Sequence, residues 1–151
     1  MENREKGLKI VFRRPLHGMT AMLDANLIRQ VLINLLSNAV KYSPNGKSVI
    51  LSARISKNNL EISIRDHGIG ISNADQKKLF TKFFRAEDAS RIDTKGSGLG
   101  LYILKKILDV CHGQITCQSS AGKGSTFTIS LPLRGFGKIE GGKELIPHEI
   151  S

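Results

Sequence analysis

Hydrophobic and polar positions alternate along this chain in two different rhythms, and the longest helical one runs from Asp24 to Tyr42. Asp24 suits an N-cap, and about five turns of helix-compatible residues follow it. At 100° per residue, Ile28, Leu32, Leu35, Leu36 and Ala39 share one face, the one expected to be buried. Asn34, Asn38 and Lys41 fall on a neighbouring stripe at i, i+4 and i+7, with Tyr42 at its edge. Ser43-Pro44-Asn45-Gly46 ends the helix, because proline cannot continue it and Asn-Gly favours a turn.

The second rhythm has period two. Gly7 to Phe12 predicts a first strand, with Leu8, Ile10 and Phe12 alternating with polar or smaller neighbours. Pro15 and Gly18 mark a connection. Ser48 to Ile55 and Leu60 to Arg65 predict an antiparallel hairpin turning at Lys57-Asn58-Asn59. Asn73 to Leu79 predicts a short helix. Phe80 to Arg85 carries three phenylalanines, and a polar, charged run follows to Gly96. That segment reads as a mobile lid, with the aromatics as its hinge and anchor. A second long helix opens at Gly96-Ser97-Gly98-Leu99-Gly100-Leu101 and continues through Ile103, Leu104, Ile107, Leu108 and Cys111, with Gly113 as its stop. Gln114 to Gln118 and Ser125 to Leu131 predict two closing strands around a Gly122-Lys123-Gly124 turn. From Arg134 onward the chain is glycine-rich and polar. Residues 1–133 are expected to form the domain and residues 134–151 a tail or linker.

Composition narrows the class. Of 151 residues, 40% are hydrophobic, enough for one domain with a core. No apolar run approaches a membrane span, and the start MENREKG is not a signal peptide, so no membrane contact and a cytoplasmic place are expected. Cys111 and Cys117 have no metal-site spacing and read as free thiols. The net charge of +10 fits nucleic acid, a membrane surface or an anionic ligand. The cations are scattered and aromatics for base stacking are few, which argues against direct nucleic-acid binding.

Three places carry candidate chemistry. Amide oxygens on the Asn34/Asn38 stripe can hold a hard cation, Lys41 can meet a phosphate, and Tyr42 can lie against a base; a merely solvated helix face would look the same. Asp66-His67-Gly68-Ile69-Gly70-Ile71 puts a carboxylate at the mouth of a glycine turn, where it can accept from an exocyclic amine such as adenine's; guanine presents a carbonyl there. An ordinary surface turn is the plain alternative. The loop from Gly96 to Leu101 enters a helix N-terminus, which favours anions, and Arg85 and Lys95 are available to phosphate. Gly46-Lys47-Ser48 only imitates a P-loop: the required first glycine is Lys41, and a strand follows rather than a helix.

Taken in order, NLLSNAVKY, DHGIGI, FTKFFR, GSGLGL and GKGSTF resemble the catalytic ATP-binding domain of bacterial sensor histidine kinases, over roughly residues 7 to 133. That group also holds the type II topoisomerase, heat-shock-90 and mismatch-repair ATPases. The resemblance implies an α/β two-layer sandwich of the Bergerat type, a mixed, largely antiparallel sheet of about five strands with about three helices on one face. It implies ATP and Mg²⁺ as ligands, with Asn38 on the metal and Asn34 as its companion. Lys41 would meet phosphate, and Tyr42 would pack near adenine. Asp66 would hold the adenine amine, with Gly68, Gly70 and Ile71 shaping the pocket. Phe83 and Phe84 fall in the aromatic box. Arg85 and Lys95 would reach phosphates, and Gly96, Ser97, Gly98, Leu99, Gly100 and Leu101 would form the phosphate loop. Thr126 belongs to the last, weakest motif.

ATP-hydrolysing relatives usually carry a glutamate one turn before the magnesium asparagine. Here that position is Asn34, and an amide cannot take a proton from water at neutral pH. The implied activity is therefore transfer of the γ-phosphoryl to a histidine on a separate dimerisation hairpin, feeding a response regulator. None of His17, His67, His112 and His148 sits in an acceptor-like helix, so the acceptor domain is expected elsewhere and the domain alone is expected to be inactive. The alternatives are an ATPase or serine kinase of the same fold, or a non-catalytic nucleotide-sensing docking module.

Overall fold

The computed structural model describes residues 2–3, 7–13, 24–94 and 96–133. The predicted connection around Pro15 and the 134–151 tail lie outside them. Among the described residues, six strands form one sheet in the order β1-β2-β3-β4-β6-β5: β1 (Glu2–Asn3), β2 (Leu8–Arg13), β3 (Ser48–Ser56), β4 (Asn59–Arg65), β5 (Gln114–Ser119) and β6 (Ser125–Pro132). Of their pairings only that of β2 with β3 is parallel. The five expected strands are all there; the two-residue β1 is an addition, too short to leave a periodic signal.

Helix α1 (Ala25–Tyr42) is capped as its sequence predicts: Asp24 Oδ1 accepts from the amides of Asn26 (2.9 Å) and Leu27 (3.2 Å). Its buried line is narrower than expected and shifted to one side. Val31, Leu35 and Ala39 are buried, while Ile28, Leu32 and Leu36 pack only at the margin. The helix turns its i, i+4, i+8 ridge to the sheet, so Val31, which the expected face omits, joins Leu35 and Ala39. Helix α2 (Asn73–Gln76) is shorter than expected. Beyond Gln76, bonds from Lys78 to Asp75, Thr81 to Lys78 and Phe84 to Thr81 wind the chain as successive i→i+3 turns. Inside the expected lid lies an unforeseen helix, α3 (Glu87–Ile92), with no buried residue to give it an apolar stripe.

Helix α4 (Gly100–Val110) buries Leu104 and Leu108. Its stop is His112 rather than Gly113. His112 takes φ 53°, its amide bonds Asp109 O (3.1 Å), and that of Gly113 bonds Leu108 O (2.7 Å), the two closing bonds of a Schellman cap. The hairpin turn is also tighter than expected: Lys57 and Asn58 alone turn the chain, both at positive φ, and Asn59 already pairs with Ser56.

Helices α1 and α4 cover one face of the sheet, where alternate residues such as Val49, Ile62, Ile64, Ile129 and Leu131 meet them. The other face is polar, and Ser63 and Thr128 share a hydrogen bond across β4 and β6 (2.9 Å). Phe12 keeps the predicted inward parity but stays 52% exposed. Among the described residues no helix is long and apolar enough to cross a membrane, and both cysteines are free thiols.

Candidate functional site

Between α1, the 66–72 loop, the segment before α4 and the start of β6 lies a cavity of about 290 Å³. Its two ends are built differently.

At the closed end sits Asp66, only 6% exposed. Strand β4 delivers it just past Arg65. Its Oδ1 accepts two backbone hydrogen bonds, from Gly68 (2.8 Å) and Ser125 (3.1 Å), while its own amide donates to Ser125 O (2.9 Å). Oδ2 accepts from no described residue and is left for a ligand. Burial pushes the carboxyl pKa up from its ordinary value, opposed by the Gly68 and Ser125 bonds and by His67. The loop that follows is stitched to the β5–β6 turn. Gly122 N bonds Ile69 O (2.6 Å), Ile71 N bonds Ser119 Oγ (2.8 Å), and Gln76 Nε2 reaches Ile71 O and Ser119 O. Gly70 makes this closeness possible: at φ +69°, its missing Cβ would lie 1.9 Å from Ser120 O. Gly68 packs its backbone against Tyr42 O and does not itself line the cavity. Ile69, Ile71, Leu79 and Phe127 supply apolar walls, and Tyr42 lines the cavity with them.

At the open end the stripe on α1 faces the lid. Asn38 Nδ2 donates to Asn34 Oδ1 (3.3 Å), so the two amides act as a pair, and Asn38 lines the cavity while Asn34 lies behind it against Gly100. Lys41 Nζ makes an ion pair with Asp93 Oδ2 (2.9 Å), and Arg85 Nη2 donates to the Asp93 main-chain oxygen. Gly96, Ser97, Gly98, Gly100 and Leu101 all line this end. Among the described residues no side chain caps the first turn of α4, so its amides can meet an anion. Gly98 closes the lid at its base. Phe83 N bonds Gly98 O (3.1 Å), and at φ +69° a Cβ there would lie 2.8 Å from the Phe83 carbonyl carbon.

Several expected residues fall elsewhere. Phe83 points outward at 64% exposure, and Phe84 lines the cavity instead. Thr126 lies on the polar face of β6, because a strand turns alternate side chains to opposite faces; Ser125 and Phe127 are its cavity neighbours. Leu99 precedes α4 without lining the cavity. Lys95 lies outside the described residues. Asp93 and Ser125 join the site without having been expected there from the sequence. Ser125 directly follows the Gly122-Lys123-Gly124 turn, which could have flagged it; Asp93 sits in a run of mixed charge that marks no single residue.

Chemically, the cavity offers one fixed acceptor at the end of an apolar slot, and cations with free helix amides at its mouth. That suits a flat ring bearing an amine joined to an anionic tail.

Comparison with known proteins agrees. Residues 23–135 match the family described as histidine kinase-, DNA gyrase B-, and HSP90-like ATPase. The sensor-like histidine kinase SenX3 of Mycolicibacterium smegmatis is 44% identical over 115 residues, 76% of this chain but only 30% of the relative. Among solved structures, the nucleotide-free catalytic domain of the histidine kinase ThkA superposes with a TM-score of 0.73 at 26% identity, covering 86% of this chain and 83% of that one. Full-length ShkA in complex with AMPPNP gives 0.72 at 29% identity, covering 85% of this chain and 26% of that one. The chain belongs to the family of histidine kinase-, DNA gyrase B-, and HSP90-like ATPases, and it resembles that family's sensor kinases in sequence and fold.

Proposed function

We propose that this domain binds Mg·ATP in the cavity and donates the γ-phosphoryl group to a histidine on a separate helical hairpin, as the catalytic part of a sensor kinase. The observation that carries the nucleotide assignment is Asp66: Oδ1 is fully committed to two backbone amides, so Oδ2 is presented as a pure acceptor at the buried end. An adenine amine satisfies it, and a guanine carbonyl is repelled by it. Tyr42, Ile71 and Phe127 flank the slot where the ring would lie.

Asn38 fits magnesium. Its Oδ1 accepts from no described residue, and Mg²⁺ takes few protein ligands when phosphates and waters complete its octahedron. When bound there the ion would neutralise phosphate charge. Lys41, Arg85 and the amides opening α4 would orient the phosphate chain, and Asn34 would hold Asn38 in place. Among the described residues, no carboxylate other than Asp66 and Asp93 lines the cavity. Asp93 is held by Lys41, and Asp66 lies at the adenine end. Behind Asn38 stands Asn34, whose amide cannot take a proton from water, and this favours transfer to an imidazole that is already nucleophilic. A response regulator would take the phosphoryl group onward.

The test is phosphotransfer. The chain is mixed with a purified dimerisation hairpin of a sensor kinase and radiolabelled Mg·ATP. Acid-labile phosphate on the hairpin's histidine, and none on the chain alone, is expected. Steady ATP hydrolysis without an acceptor would instead support an ATPase. ATP binding without transfer to any hairpin would support a docking module.

A further inference from the structure

Helix α3 ends at Asp93, whose amide closes on Ala89 O (3.0 Å). From there its carboxylate reaches back to α1. Oδ2 lies 2.9 Å from Lys41 Nζ, across 52 residues of sequence, and 2.7 Å from where a Cβ on Gly96 would stand. The Asp93 main-chain oxygen accepts from Arg85. Asp93 thus meets the same lysine, arginine and glycine backbone that the nucleotide reading assigns to phosphates. The lid's other acids are occupied away from the cavity: Glu87 and Asp88 pair with Arg91 (2.5 and 3.7 Å) at the exposed surface.

A carboxylate and a phosphate oxygen are recognised by the same donors. We propose that Asp93 is a resident stand-in for the nucleotide's phosphates: its carboxylate holds Lys41 and latches the lid helix to α1 until a polyphosphate displaces it. This inference rests on the nucleotide reading and adds a selectivity residue to it. A ligand without phosphates fills the closed end and leaves the latch shut. A ligand with a long phosphate chain must take Lys41 from Asp93, and in doing so releases α3. Nucleotide arrival is thereby coupled to rearrangement of the lid, the surface next to the reacting phosphate.

The test is calorimetric titration of ATP, ADP and adenosine, each with Mg²⁺, into the wild-type chain, Asp93→Asn, Lys41→Gln and the double variant. The pair is partly exposed, 42% at Lys41 and 18% at Asp93, so removing the competitor is expected to tighten ATP only about threefold to fivefold. ADP gains less, adenosine is unchanged, and the gain vanishes when Lys41 is already glutamine. In the nucleotide-free protein, amides 86–94 exchange faster in Asp93→Asn than in wild type. Asp93→Ser, checked for folding by its thermal midpoint, reproduces both effects. The proposal is overturned if ATP affinity is unchanged or weaker in both folded variants, if adenosine gains equally, or if the gain persists beside Lys41→Gln. Wild-type protein that binds no ATP would remove the nucleotide reading itself; wild-type binding with no Asp93 effect would remove this inference alone.

Discussion

The two ends of the cavity hold their acidic residues in opposite ways. Asp66 is fixed by backbone: two amides grip one oxygen, and the loop behind it is tied to the β5–β6 turn. Nothing there moves without breaking main-chain hydrogen bonds. Asp93 is held by a half-exposed lysine side chain, on a short helix that buries no residue. A surface ion pair of this kind contributes about 0–1 kcal/mol, so it can be exchanged for another anion. Recognition of a base needs a rigid acceptor, whereas delivery of a phosphoryl group needs a mouth that can rearrange. On the proposed reading, the sheet would supply the first and the lid the second.

That contrast breaks most visibly at Asp66. In Asp66→Asn the two amides keep the side-chain oxygen, so the new NH₂ faces the cavity where an acceptor stood. ATP affinity is expected to fall by about 1.5–3 kcal/mol, the worth of a hydrogen bond to a charged group, while GTP gains relative to ATP. Competition titration with both nucleotides checks it. The same variant has a pH signature. Because burial raises the Asp66 pKa in the folded state, its ionised form is a stability cost that is absent below the ordinary value of 3.8 and fully present above the raised value. Denaturant melts are therefore expected to show wild type losing stability relative to Asp66→Asn as pH rises through that window. A gap that stays constant with pH would contradict the burial argument.

Gly70→Ala tests the rigidity of the same end. A methyl 1.9 Å from Ser120 O at positive φ is expected to cost about 2 kcal/mol or more, read as a lower denaturation midpoint. At the open end, Asn38→Ala is expected to remove most of the Mg²⁺ dependence of ATP binding and leave the fold intact, which titration with and without the ion would reveal. The smallest effect belongs to a site remote from both ends. His112→Gly relieves a left-handed residue at the α4 cap and is expected to stabilise by about 0.5–1 kcal/mol without altering nucleotide affinity.

The contrast also explains what could be read from the sequence. Features encoded within a few residues were legible: Asp24 capping α1, the hairpin, the i, i+4 asparagines, and Asp66 before its glycines. Features made by distant residues were not. Ser125 grips Asp66 across 59 positions and Lys41 meets Asp93 across 52, and neither spacing leaves a periodic trace. Helix α3 buries nothing, so the hydrophobic pattern that revealed α1 had nothing to mark there. Phe83 and Phe84 share one aromatic motif, and composition cannot say which of two neighbours faces inward. The left-handed φ of 63° at Phe83 turns it out. The sequence does not single out Val31 on α1, because the apolar stripe is wide and only packing against the sheet selects its centre.

The most direct measurement is a calorimetric titration of Mg·ATP and Mg·GTP into the folded chain, with Asp66→Asn alongside. The account predicts that the wild type binds ATP in clear preference to GTP, and that the single exchange of acceptor for donor at Asp66 collapses that preference. Equal binding of both nucleotides by the wild type, or an ATP preference untouched in Asp66→Asn, would contradict the assignment of the buried end to adenine.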